Sequence, residues 1–166
     1  VAQRGTIDGL LARVERLDGV GFKAVQAGPR NGSVLLDAEV IAAMEDFAPL
    51  FPAHNPPYLA CIGFFRERYP RIPLVGVFEP GFHADIPEEA RVFGLPYEWY
   101  RDFHVRKYGF HGATFRYVTG EVIRRLGLDH ARARIIACHL GGSSSICAFG
   151  GGRSIDTSFS FTTQSG

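Results

Sequence analysis

Segments of strand length alternate with segments of helical period along most of this chain, and that alternation restricts its fold more than any other feature. Ile7, Leu10, Leu11, Val14 and Leu17 follow the i, i+3, i+4, i+7 rule and predict an amphipathic helix with Thr6 as its N-cap. A strand over residues 20–27, entered through Gly19 and Gly21, and a shorter one over 33–36 come next. Asp37 can cap a helix reaching Phe47, with Val40, Ile41, Met44 and Phe47 on one face. Pro49, Pro52, Pro56 and Pro57 break the following stretch, and Asn55-Pro56 reads as the N-cap and first position of a helix reaching Tyr69. Residues 73–78 form an apolar run of strand length and predict a buried strand.

The second half is less regular at first. Residues 81–112 predict irregular structure with short helices near 87–92 and 97–103. A helix over 114–126 ends at Gly127, a strand covers 135–140, and strands over 144–149 and 154–159 make a hairpin around Gly150-Gly151-Gly152. The predicted class is α/β, and the best boundary candidate lies just after Phe78.

Charge and composition remove several functions. Lys and Arg total 18 against 17 Asp and Glu, a net charge of +1, which argues against a nucleic-acid partner. No stretch of eighteen apolar residues predicts a membrane span, and no charged-then-apolar N-terminal pattern predicts a signal peptide. Cys61, Cys138 and Cys147 lack Cys-x-x-Cys spacing and predict reduced thiols in a cytoplasmic protein. Val1 at the start and the turn-like Thr163-Gln164-Ser165-Gly166 at the end predict a fragment.

Few residue patterns carry chemistry by themselves. Gly141-Gly142-Ser143-Ser144-Ser145 follows a predicted strand, so backbone N–H groups and hydroxyls there can hold phosphate oxygens. A tight turn needs the same residues, and the spacing is neither a P-loop nor a Rossmann fingerprint. His139 ends that strand beside the glycines, and Phe110-His111-Gly112 places a histidine before a helix N-terminus. Glu79 ends the strand over 73–78, where α/β folds commonly build sites. No His, Cys, Asp or Glu cluster has metal-ligand spacing.

Several longer runs, in order, resemble the acetate kinase (acetokinase) family. They are Ala53-His54-Asn55-Pro56-Pro57, Phe78-Glu79-Pro80-Gly81-Phe82-His83 and Ile86-Pro87-Glu88-Glu89-Ala90, then Leu95-Pro96-Tyr97-Glu98-Trp99-Tyr100. Arg106-Lys107-Tyr108-Gly109-Phe110-His111-Gly112, Cys138-His139-Leu140-Gly141-Gly142-Ser143 and Arg153-Ser154-Ile155-Asp156-Thr157-Ser158 complete the series. The resemblance implies the acetate and sugar kinase, actin and hexokinase fold, which is ribonuclease H-like. It implies that residues 1–79 are the end of a first domain and 80–166 the start of a second. It implies an ATP-dependent phosphotransferase that converts the carboxylate of a short-chain acid to an acyl phosphate. Mg²⁺ would be a cofactor with its ligands elsewhere, and the protein a cytoplasmic homodimer without membrane or nucleic-acid partners.

By position, the resemblance gives Glu79 and His111 catalytic roles and assigns ATP binding to His139, Leu140, Gly141, Gly142 and Ser143. It assigns the acid to Lys23, Val25, His54 and Phe110. Five positions depart from the family pattern. Glu79 replaces an aspartate, Lys23 an arginine, Phe115 a histidine, Gly142 an asparagine and Thr163 a pocket proline. Lysine cannot grip a carboxylate bidentately as arginine can. The departures leave a second expectation, a catalytically impaired relative that binds nucleotide or a protein partner. A hydroxyl kinase of the same fold is disfavoured by the acetokinase-specific runs.

Overall fold

The computed structural model describes residues 2–165 as two three-stranded sheets joined by a short bridge. Helix α1 (Ala2–Leu11) leads to β1 (Val20–Ala24) and β2 (Gly32–Leu35), then α2 (Ala38–Asp46), α3 (Asn55–Arg68) and β3 (Leu74–Phe78). Among these strands β3 is central, parallel to β1 and antiparallel to β2. Phe22, Ala24, Leu36, Val40, Met44, Ile62, Phe65, Leu74 and Phe78 form the core between this sheet and its helices.

After β3, a 3-10 segment Glu79–His83 connects to α4 (Glu88–Arg91), α5 (Tyr97–Phe103) and α6 (Gly112–Leu126). Strands β4 (Arg134–Leu140), β5 (Ser144–Gly150) and β6 (Arg153–Thr157) then form an antiparallel meander. The Glu79–His83 segment touches β2, α6 and β6, so it bridges both halves. At Gly112 a Cβ would collide with the backbone oxygen of Glu79, so α6 can start against the bridge only with glycine there. No helix among the described residues is long and apolar enough to cross a membrane.

Several expectations need correction. Helix α1 starts four residues before Thr6, which therefore does not cap it, and it ends at Leu11, leaving Val14 and Leu17 outside. Strand β1 stops at Ala24, and β6 stops at Thr157 rather than residue 159. The strand over 73–78 is not buried on both faces: Val77 is 44% exposed, because α2 and α3 cover one side only. Asp37 caps α2 as expected, its carboxylate accepting from the Val40 amide.

Asn55 is not an N-cap. His54 occupies that position without a side-chain bond, and Asn55 is the first helical residue and fully buried. Its Nδ2 donates to the Gln26 and Met44 carbonyls at 3.0 and 2.8 Å, tying β1's exit and α2 to α3. Those carbonyls would otherwise be buried acceptors without donors, a loss of about 1–3 kcal/mol each.

Candidate functional site

Parallel pairing brings the first two polar groups together. Lys23 lies opposite Val77 in β1–β3, so Glu79, two residues on, has the same facing and sits one diagonal step away. The Lys23 ammonium is 2.9 Å from Glu79 Oε1. Glu79 Oε2 accepts from the Ala113 amide at 3.2 Å, in the first turn of α6. The buried carboxylate therefore has one oxygen on a cation and the other on a helix N-terminus.

His111 is the N-cap of α6, with a left-handed φ of 58°. Its Nδ1 is 2.8 Å from the Ser145 hydroxyl of β5, which leaves Nε2 as the nitrogen a ligand can meet. The His139 ring from β4 stacks on it, centroids 3.7 Å apart and planes 15° apart. Phe115, fully buried, and Phe159 pack against the same ring. Burial, then the neighbouring His139, hold the His111 pKa below its usual value; Glu79 pulls it up and Lys23 pushes it further down. The neutral imidazole is thus favoured until an anion arrives, which stabilises the protonated form.

These residues open onto a cavity of about 180 Å³ lined by Lys23, Val25, His54, Glu79, Phe110, His111, Ser143, Phe159 and Thr163. Its apolar wall belongs to a cluster of Val25, Phe51, Tyr108, Phe110 and Phe159, drawn from both halves of the chain. The Tyr108 and Gly109 amides both donate to the Ser160 carbonyl, at 3.1 and 3.4 Å, fixing the loop that carries Phe110 and His111. The Ser143 hydroxyl on the cavity wall is buried and has no partner among the described residues, so it is available to a ligand oxygen.

The cavity gathers the four residues expected to hold the acid, Lys23, Val25, His54 and Phe110, with Glu79, His111 and Ser143. His139 reaches it through its stack on His111. Leu140, Gly141 and Gly142 are exposed in the β4–β5 turn and do not line it; the Leu140 side chain is 78% exposed. Sequence reasoning missed Phe159 and His83, and it read Ser145 only as part of a phosphate-holding segment, not as the partner of His111. The alternation of buried Ser145, Cys147 and Phe149 in β5 is the period-two signal that would have marked Ser145 as inward-facing.

Residues 6–166 match the acetokinase family. The chain belongs to it. Among curated relatives, it is 43% identical over 159 residues to the acetate kinases of Thermosipho melanesiensis and of Bacillus subtilis strain 168. Both alignments span 95% of this chain, but only 39% and 40% of those proteins. Among solved structures, it superposes on Porphyromonas gingivalis acetate kinase with a TM-score of 0.82 at 35% identity, covering 95% of this chain and 43% of the other. On a Francisella tularensis propionate kinase the TM-score is 0.88 at 32% identity, covering 98% and 42%. The fold is thus a portion of the α/β acetate and sugar kinase, actin and hexokinase architecture.

The acetokinase cavity does not suit magnesium by itself. Its lining carboxylate, Glu79, is engaged at both oxygens, and among the described residues no three His, Cys, Asp or Glu gather as ligands. His83, behind the cavity, is pushed from its ordinary 6.5 to about 4, chiefly by burial, against the Phe110 carbonyl and the Glu79 charge. A histidine held neutral in the fold takes up a proton on unfolding, so stability rises with pH across that interval. Its contribution is complete above about pH 6.5 and is lost as pH falls toward about 4. Urea unfolding of the whole protein over that window should fall more steeply for wild type than for His83→Gln; equal slopes would contradict a neutral buried ring.

Proposed function

We propose that the protein containing this chain is an ATP-dependent kinase that phosphorylates the carboxylate of a short-chain acid such as acetate or propionate. The observation that supports this best is the small cavity whose lining combines the cationic Lys23 and the His111 ring with the apolar Val25, Phe110 and Phe159. An anionic head and a short alkyl tail match that mixed lining, and about 180 Å³ is well below the roughly 300 Å³ at which drug-sized pockets begin. The matching relatives, an acetate kinase and a propionate kinase by name, point the same way.

On this reading the acid carboxylate docks against the Lys23 ammonium while the apolar wall excludes water from its tail. A carboxylate oxygen attacks the γ-phosphorus of ATP, the bond to the bridging oxygen breaks, and ADP leaves with that electron pair. His111, with Nδ1 accepting from Ser145, offers its Nε2–H to the equatorial oxygens as charge spreads over them. The unpartnered Ser143 hydroxyl and the β4–β5 turn, Leu140 to Ser143, meet the nucleotide phosphates, with His139 backing His111. Glu79 holds Lys23 and the α6 N-terminus at their working separation. Family resemblance extends the proposal to a cytoplasmic homodimer whose domain boundary follows Glu79.

One observation favours a second reading. Glu79 is neutralised by Lys23 and bonded at both oxygens, as expected of a relative that keeps the architecture and has lost turnover. Trapping acyl phosphate with hydroxylamine separates the two. The whole protein, given ATP, Mg²⁺ and a panel of short linear acids, should yield hydroxamate, whereas the 166-residue piece alone should yield none. A folded whole protein that binds an ATP analogue but yields no hydroxamate with any acid would overturn the kinase reading and leave the second.

A further inference from the structure

His83 does not line the cavity, yet it is 3% exposed and both ring nitrogens are engaged. Nε2 lies 3.0 Å from the Phe110 carbonyl oxygen. A carbonyl only accepts, so Nε2 carries the hydrogen and Nδ1 is the acceptor. Nδ1 lies 2.8 Å from the Ser154 hydroxyl, which therefore donates to it. With its hydrogen committed, Ser154 Oγ accepts from the Cys147 thiol, 3.4 Å away. Cys147 in β5 and Ser154 in β6 are fully buried, so this directed chain is shielded from water.

The chain ends at a consequential atom. The Phe110 carbonyl belongs to the peptide joined to His111, and that peptide's orientation sets the direction of the His111 side chain. His111 holds a left-handed φ of 58° without being glycine. Such a conformation costs on the order of 1–3 kcal/mol and persists only where the surroundings over-determine it. The His83 N–H holds the peptide on one side and Ser145 holds the ring on the other. The loop also fits closely over His83: a Cβ on Gly109 would lie 2.6 Å from its ring.

We propose that His83 is a positioning residue that locks the Phe110–His111 peptide and so aims the His111 ring into the cavity, with Ser154 and Cys147 fixing the tautomer that does this. The proposal rests on the carboxylate-kinase reading for its kinetic consequence, but not for its structural one.

Three variants of the whole protein test it. His83→Phe keeps a ring and removes both bonds; His83→Gln keeps an N–H donor; Ser154→Ala removes only the hydroxyl. His83→Phe should lower kcat by about 10- to 100-fold, the scale of a small misplacement at a reacting centre, with KM for the acid little changed. His83→Gln should recover most of that loss, and Ser154→Ala should fall between. Independently of turnover, the imidazole resonances of His111 should titrate at a shifted pH or broaden in His83→Phe, and return in His83→Gln. A folded His83→Phe with wild-type kcat and wild-type His111 titration overturns the proposal. If His83→Phe does not fold, Ser154→Ala is judged on the same two readouts. If wild type makes no acyl phosphate, the kinase reading fails, and the His111 titration still decides the positioning role.

Discussion

Replacing His111 by alanine should lower kcat for acyl phosphate formation by about 10²–10³-fold, the usual loss when one preorganised donor to developing charge is removed. The acid's KM should change little, because Lys23 and the apolar wall remain. The expectation comes from the surroundings of the ring: Ser145 holds Nδ1, His139 stacks on one face, and Phe115 and Phe159 pack against it, so the donor is held in place before charge develops. His111→Gln, which retains an N–H, should lose less than His111→Ala. Equal kcat in wild type and His111→Ala would remove His111 from the reaction.

The second large effect concerns Lys23 and Glu79 together. Glu79→Asp withdraws the carboxylate by one methylene and cannot keep both Lys23 at 2.9 Å and the Ala113 amide at 3.2 Å. Misplacement of about 1 Å at a reacting centre can cost roughly 10²-fold in kcat/KM. Lys23→Arg lengthens the opposite arm and replaces a point charge by a planar fork. If the longer acid and the shorter base compensate, the double change should cost less than the two single changes combined. Groups in direct contact commonly couple by about 0.5–3 kcal/mol, so a double-mutant cycle on kcat/KM resolves the question. Additive effects would show that the two positions vary independently. Improvement toward acetate in the double variant would instead mark this chain as a relative that has lost activity.

Much of the architecture was legible in the sequence because it depends on local chemistry. Asp37 caps α2, Gly127 ends α6 in the left-handed conformation, and Gly151 and Gly152 turn the β5–β6 hairpin, each where residue type dictated. The acetokinase runs contain His54, Glu79, Phe110, His111 and Ser143, which the structure gathers around one cavity, since motifs of that length tie positions distant in sequence to a known arrangement.

Local signals failed where the deciding partner lies far along the chain. An apolar run in β3 does not reveal that helices cover only one of its faces. Asn55 beside Pro56 has the local signature of a cap, yet carbonyls 29 and 11 residues away claim its side chain. That Leu140 to Gly142 are exposed beside the cavity rather than lining it follows from the antiparallel β4–β5 connection, not from their motif run. The sequence by itself determined the α/β class and the family, and it singled out Lys23, Val25, His54, Glu79, Phe110, His111 and Ser143, which the structure gathers around one cavity. Only the tertiary structure decided that Lys23 and Glu79 form a pair, that His139 lies flat on His111, and that His83 reaches the Phe110 carbonyl. Those contacts depend on parallel register and on a bridge between two sheets, and neither is encoded in any segment read alone.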